Sequence, residues 1–206
     1  SVTLNHPVTL EGYGTSPLAS FTNNATLTFN GWNTPLVAEE VAIKATVTHL
    51  AQSATAPHPV TGFRLTVTND AVMTGSDPLQ FGLQLRGGRL DCGGSLVLQR
   101  SRLTLFDADD APSALTVGGD LVLTNAGGTT SGSHLSVYAA ATNGAGGAGA
   151  TVTVGGRIVI SPYSAVFPYA HATNGAVVTF AAADLLLMTN GKIDADGKGY
   201  ARQLGP

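Results

Sequence analysis

Apolar and polar residues alternate along most of this chain in short runs separated by Gly, Asn or Pro. The clearest runs are ATLTF (25–29), ATVTH (45–49), RLTVTN (64–69), GSLVLQ (94–99), ALTVGGDLVLT (114–124), ATVTVGGRIVIS (150–161) and VVTFAAADLLLM (177–188). Their period of two and their content of β-branched residues predict strands. Helical periodicity is confined to AEEVAIKA (38–45), which flows directly into the alternating ATVTHL.

Aligned on the residue that follows the paired glycines, the strands form a repeat marked by Leu96, Leu121, Ile158 and Leu185, at spacings of 25, 37 and 27 residues. A second mark follows each first one: Leu103, Leu135, Val166 and Ile193. The long spacing is accounted for by two inserts of turn composition, NAGGTTSG (125–132) and GAGGAGA (144–150). Such segments bulge from a scaffold without disturbing it. Leu27, Val47 and Leu65 continue the rhythm less regularly toward the N-terminus.

A short unit of strands that cannot bury its apolar face alone must stack on its neighbours, which is the logic of a solenoid. The expected fold is therefore all-β, a single-stranded right-handed parallel β-helix with coils of roughly 20–27 residues and one enlarged coil. Residues 1–206 read as one continuous domain, with 1–60 as a capping or irregular region. The competing fold is an antiparallel sandwich or barrel, with Asn-Gly at 143–144, 174–175 and 190–191 as hairpin turns. Recurrence of Asn-Gly at corresponding places in successive repeats favours coil corners.

The successive VGGDLVL and VGGRIVI strands, the T-N-G corners and the closing GKIDADGKGY resemble the right-handed parallel β-helix repeats of large secreted or surface proteins of bacteria, a pectate-lyase-like architecture. The resemblance covers residues 90–200 best. Enzymes, phage tailspikes and adhesins share this architecture, so it implies a fold and leaves activity to the site.

Charged residues make up 11% of the 206 and the net charge is −3, against the roughly 25% charged residues of ordinary domains. This balance argues against nucleic acid and anionic membranes as partners, since both require basic clusters. No run reaches the ~18 apolar residues of a membrane span. The Gly-, Thr- and Ser-rich, lysine-poor composition fits an extracellular or cell-surface β protein. The start at Ser1 and the stop at Gly205-Pro206 read as those of a piece of a longer protein. Cys92 is the single cysteine, so no intrachain disulfide forms, and its strand context predicts a buried, inert thiol.

If Leu135, Val166 and Ile193 point inward on adjacent coils, the residues that follow them form one lateral strip. It carries Tyr138, then Tyr169 and His171, then Asp194, Asp196, Lys198 and Tyr200. Aromatic rings beside carboxylates and a cation are what sugar recognition uses, with rings stacked on pyranose faces and charged groups bonded to hydroxyls or uronate. The structural alternative is an aromatic stack that supports the corner. The implied partners are a polysaccharide or neighbouring copies and domains of the parent protein.

Asp194-Ala-Asp196-Gly197 and Asp107-Ala-Asp109-Asp110 lack the third ligand and the distal Glu of a calcium loop. They read as solvated acidic turns, with calcium between coil corners as the alternative. Asp194, Asp196, Lys198, Tyr200 and Arg202 include the residue types of polysaccharide lyases and glycoside hydrolases, but they crowd one turn rather than line a cleft. No histidine has a nucleophile motif beside it, and no residue is assigned a catalytic role. The expected function is a non-catalytic structural or adhesive module that contacts carbohydrate, with a carbohydrate-active enzyme as the alternative. A further alternative is an ice-binding array of outward T-x-T pairs, Thr26/Thr28, Thr46/Thr48, Thr66/Thr68 and Thr151/Thr153, interrupted at Cys92 and Val117.

Overall fold

The computed structural model describes residues 2–4, 8–10, 18–23, 27–30, 36–43, 47–50, 64–74, 82–86, 88–106, 113–125, 130–139, 149–170 and 176–199; before Leu65 the description is of the backbone. The N-terminal strands are β1 (Val2–Leu4), β2 (Val8–Leu10), β3 (Leu18–Asn23), β4 (Leu27–Asn30), β5 (Leu36–Ile43) and β6 (Val47–Leu50). Next come β7 (Arg64–Val67), β8 (Ala71–Thr74), β9 (Gly82–Arg86), β10 (Arg89–Cys92), β11 (Leu96–Gln99), β12 (Arg102–Phe106), β13 (Ala114–Val117), β14 (Leu121–Thr124) and β15 (His134–Tyr138). The series closes with β16 (Thr151–Ile160), β17 (Ala165–Tyr169), β18 (Thr179–Leu187) and β19 (Lys192–Ile193).

Among the described residues every strand pairs with a strand one coil away, and every pairing is parallel. The chain is a β-solenoid in which each turn crosses three faces. On the first face β7, β10, β13 and the first halves of β16 and β18 stack; on the second, β8, β11, β14 and the second halves of β16 and β18. Because β16 and β18 run across the corner, these two faces join into one sheet. The third face is a separate sheet in the order β19-β17-β15-β12-β9-β6-β4-β2. Leu115 pairs with Val152 and Leu121 with Ile158 in parallel, which removes the antiparallel sandwich.

The alternation read from the sequence is the in–out pattern of these strands. Leu96, Leu121 and Ile158 form one interior column of the second face, and Leu185 extends it. Leu103, Leu135 and Val166 form the matching column of the third face, extended by Ile193. A fully buried leucine contributes about 1.5–3 kcal/mol relative to an exposed one, and each column repeats that contribution at every coil. Where β14 gives way to β15 the chain accommodates the first insert, yet His134 still pairs with Arg102 and Leu135 with Leu103.

Three sequence expectations change. AEEVAIKA lies largely in β5, a strand, because that segment pairs with β3 on one side and with β7 and β8 on the other. Leu65 does not continue the column of Leu27 and Val47: those two pair with each other on the third face and lead to Leu83, whereas Leu65 pairs with Leu36 and Leu90 on the first. Spacing alone could not separate two faces that carry the same period. Asn190-Gly191 turns the corner from the second to the third face, while 143–144 and 174–175 fall outside the described residues, between third-face and first-face strands.

Polar ladders hold the corners. Between the first two faces the amides of Gly93, Gly118 and Gly94 donate to Val67, Cys92 and Asn69 carbonyls of the preceding coil. Beside them Asp70 Oδ1 accepts from the Ser95 amide at 2.7 Å, Ser95 Oγ from the Asp120 amide at 3.1 Å and Asp120 Oδ1 from the Arg157 amide at 2.8 Å. At the corner before the third face, Arg100, Tyr163 and Asn190 take the left-handed conformation. Ser101, Ser133 and Ser164 form a buried ladder there. Ser133 Oγ donates to the Leu98 carbonyl at 2.7 Å and accepts from the Ser101 amide, and Ser164 Oγ accepts from the Ser133 amide at 3.0 Å. Buried polar groups so satisfied cost little and fix the register.

Candidate functional site on the third face

The two related segments HLSVY (134–138) and AVFPY (165–169) are β15 and β17, stacked residue on residue from His134–Ala165 to Tyr138–Tyr169. With Leu135, Val137 and Val166 buried in the core, alternation turns His134, Tyr138, Phe167 and Tyr169 to the opposite side of the sheet, the side on which Ser136 also lies, itself buried. The next coil adds Lys192, opposite Ala165, and the turn at Asp194–Lys198.

Tyr138 and Tyr169 stack with ring centroids 4.0 Å apart and planes 4° from parallel. Burial first, and then the hydrogen bond in which the Tyr138 hydroxyl donates to Tyr169, push the Tyr138 phenol up to about 12. Lys198 Nζ lies 5.5 Å from the Tyr169 ring centre and 5.2 Å from that of Phe167, and Lys192 Nζ 5.6 Å from Phe167. These distances are within cation–π range. His134 meets Phe167 edge-on at 5.2 Å.

Asp194 ties the cations down. It pairs with Lys192 at 3.0 Å and with Lys198 at 3.4 Å, and Asp194 Oδ1 accepts from the Asp196 amide. These contacts, led by the Lys192 hydrogen bond, lower the Asp194 carboxyl pKa below the usual carboxylate range. Lys198 also donates to the Asp196 carbonyl at 3.0 Å, and its side chain is 14% exposed against 58% for Lys192. The Ala170 amide donates to the Lys198 carbonyl and so seats the turn against β17.

Thus Tyr138, Tyr169, Asp194 and Lys198 come together on one outward strip as the sequence alignment placed them. Asp196 joins through its backbone, its amide donating to Asp194 Oδ1 and its carbonyl accepting from Lys198. His171, Tyr200 and Arg202 lie outside the described residues. Phe167, Lys192 and His134 belong to the strip and were missed. Their signal was present, since they occupy outward positions of the same alternating segments. The strip also differs in chemistry from a sugar-stacking platform: Tyr169 has Tyr138 against one side of its ring and the Lys198 ammonium nearby. The strip carries phenol hydroxyls, aromatic rings, two ammonium groups and a carboxylate.

Among the described residues no three His, Cys, Asp or Glu side chains converge as a metal site, and Asp194 is engaged by two lysines rather than by a second carboxylate. Asp107, Asp109 and Asp110 lie outside the described residues. The Cys92 thiol donates to the Asn69 carbonyl at 3.2 Å, and burial raises its pKa, the opposite of activation.

The threonines do not form one array. Thr28 and Thr48 pair on the third face, whereas Thr66 is on the first. There Thr151 and Thr153 pair with Ala114 and Thr116, which continue to Arg89 and Asp91. Cys92 and Val117 are core residues paired with Val67 and Val154; the outward column is interrupted by Asp91 instead. Thr26 and Thr46 lie outside the described residues.

No protein-family model, no curated protein and no solved structure matches this chain.

Proposed function

We propose that the chain is a non-catalytic structural and adhesive β-helix module of an extracellular or cell-surface protein, and that its third face contacts carbohydrate. The observation that supports this reading is the clustering of Tyr138, Phe167, Tyr169, Lys192, Asp194 and Lys198 outside an otherwise aliphatic solenoid core. A rigid parallel sheet holds such groups at about 4.8 Å intervals, so hydroxyl, ammonium and carboxylate groups meet a sugar chain without first being ordered. The covered Tyr169 ring favours hydrogen bonds from the phenols and Lys192 over ring stacking. Titration of the chain with uronate and neutral polysaccharides, followed by an assay for new reducing or unsaturated ends, tests the reading. Binding that Tyr169→Ala together with Lys192→Ala abolishes, with no new ends, is expected. New chain ends would instead establish a polysaccharide lyase or hydrolase, and binding untouched by the two substitutions would move the contact to another face.

A further inference from the structure

The charged groups of the third face divide between the two ends of its strands. At the start of the strands Arg102 pairs with His134, His134 with Ala165 and Ala165 with Lys192, so one outward column carries Arg102, His134 and Lys192. Among the described residues this column contains no carboxylate. Arg102 and Lys192 are three coil steps apart, about 14 Å at the spacing of parallel strands. Arg102 is half-buried, and its charge reaches the Tyr138 phenol, where it opposes the larger effect of burial. The Lys192 side chain is 58% exposed and gives one hydrogen bond, to Asp194 Oδ2. An ammonium has three donors, so two remain for a ligand.

The groups toward the other end are engaged with one another. Asp194 Oδ1 accepts from the Asp196 amide and from Lys198, and Oδ2 from Lys192. Asp196 stands on the turn seated at Ala170, at the far end of β17 from Lys192. A neutral sugar is held by polar groups that bond its hydroxyls and by open ring faces. Here the central carboxylate is taken up by two lysines, and the Tyr169 ring is covered on one side by Tyr138. Across the solenoid, the corner between the first two faces carries Asp70, Asp120 and Asp184 against Arg157, so negative charge gathers there and positive charge on the third-face column. We infer that the glycan bound by this face is polyanionic, with carboxylate or sulfate groups fixed on its sugar rings, and that Arg102, His134 and Lys192 take those groups from a polymer lying along the solenoid axis. The inference rests on the carbohydrate contact proposed for this face and names its chemical class. A guanidinium fork bonds two oxygens of such an anion at once, and the fixed coil spacing sets the cations in a row before binding.

Isothermal titration calorimetry on the full 206-residue chain tests this with a polyuronate, the same polymer methyl-esterified at its carboxyl groups, dextran and dextran sulfate. The charged polymers are expected to bind about tenfold more tightly than their neutral counterparts, with the difference shrinking as salt is raised. Whichever charged polymer binds more tightly identifies the anion. Lys192→Ala and Arg102→Ala should each weaken the charged polymers about tenfold, the value of one charge-assisted hydrogen bond. Arg89→Ala, on the first face, leaves binding unchanged, and circular dichroism melts establish that each variant is folded. Equal affinity for charged and neutral polymers overturns the inference and leaves the carbohydrate contact standing. No binding of any of these polymers overturns both. A preference for charge that survives both substitutions also overturns it, because the anions then lie off this column. So does equal binding of a single-stranded oligonucleotide of matched charge, which would make charge density alone the determinant.

Discussion

At the scale of single residues, the corners carry constraints that side-chain chemistry alone does not suggest. Gly93, Gly118 and Gly155 form a column in which a Cβ on Gly118 would land on the Gly93 carbonyl oxygen, and one on Gly155 on that of Gly118. The obstacle is backbone, which has no rotamer to escape into. Gly118→Ala is expected to cost about 1–3 kcal/mol, as overpacking in a closed site does. Gly199→Ala, with nothing within 4 Å of the added carbon, should stay within about 0.5 kcal/mol of the parent. Urea unfolding of both variants checks the contrast; equal losses would place the close approach of coils elsewhere. The paired glycines were visible in the sequence as a repeat mark, but their reason was not, because the clash involves a residue 25 positions away. The left-handed corner residues Arg100 and Tyr163 were not legible at all, since neither residue type announces that conformation.

At the scale of elements, the stack of β15 on β17 converts a sequence resemblance into an electrostatic property. The folded Tyr138 phenol is raised to about 12 from about 10 in an unfolded chain. A raised phenol favours the neutral form in the folded state. The stabilisation it reports is therefore full below about pH 10 and is lost as the pH rises through about 12. Thermal unfolding across that window should show the loss, and ultraviolet titration of the phenolate should show Tyr138 ionising late. Tyr169→Phe keeps the ring stack and removes the hydroxyl partner, so it should bring the late ionisation back toward pH 10 and lower the melt at neutral pH slightly, by the loss of that one hydrogen bond. An unaltered titration would mean burial alone sets the value. The inward marks Leu135, Val166 and Ile193 were enough to place this strip, because on a strand the neighbours of an inward residue must point out. The pairing of Lys192 and Lys198 with Asp194 was not, since alternation says which face a side chain occupies and nothing about which partner it chooses across a turn.

At the scale of the whole molecule, a solenoid is close to one-dimensional: each coil contacts its neighbours and stability is a sum of coil and interface contributions. A residue with a coil on both sides is therefore worth more than its equivalent at an end. Leu121 is fully buried between Leu96 and Ile158, whereas Leu185, in the same column, pairs among the described residues with Ile158 alone and is 49% exposed. Leu121→Ala should cost about 2–5 kcal/mol, the range for a buried leucine, and Leu185→Ala well under half of that. The same asymmetry governs opening. With no coil beyond them among the described residues, β18 and β19 should exchange their amide hydrogens well before β11, β14 and the first half of β16, whose backbones are paired on both sides. Hydrogen exchange resolves this directly, and equal protection of β18 and β14 would show that the coils open as one unit rather than in order.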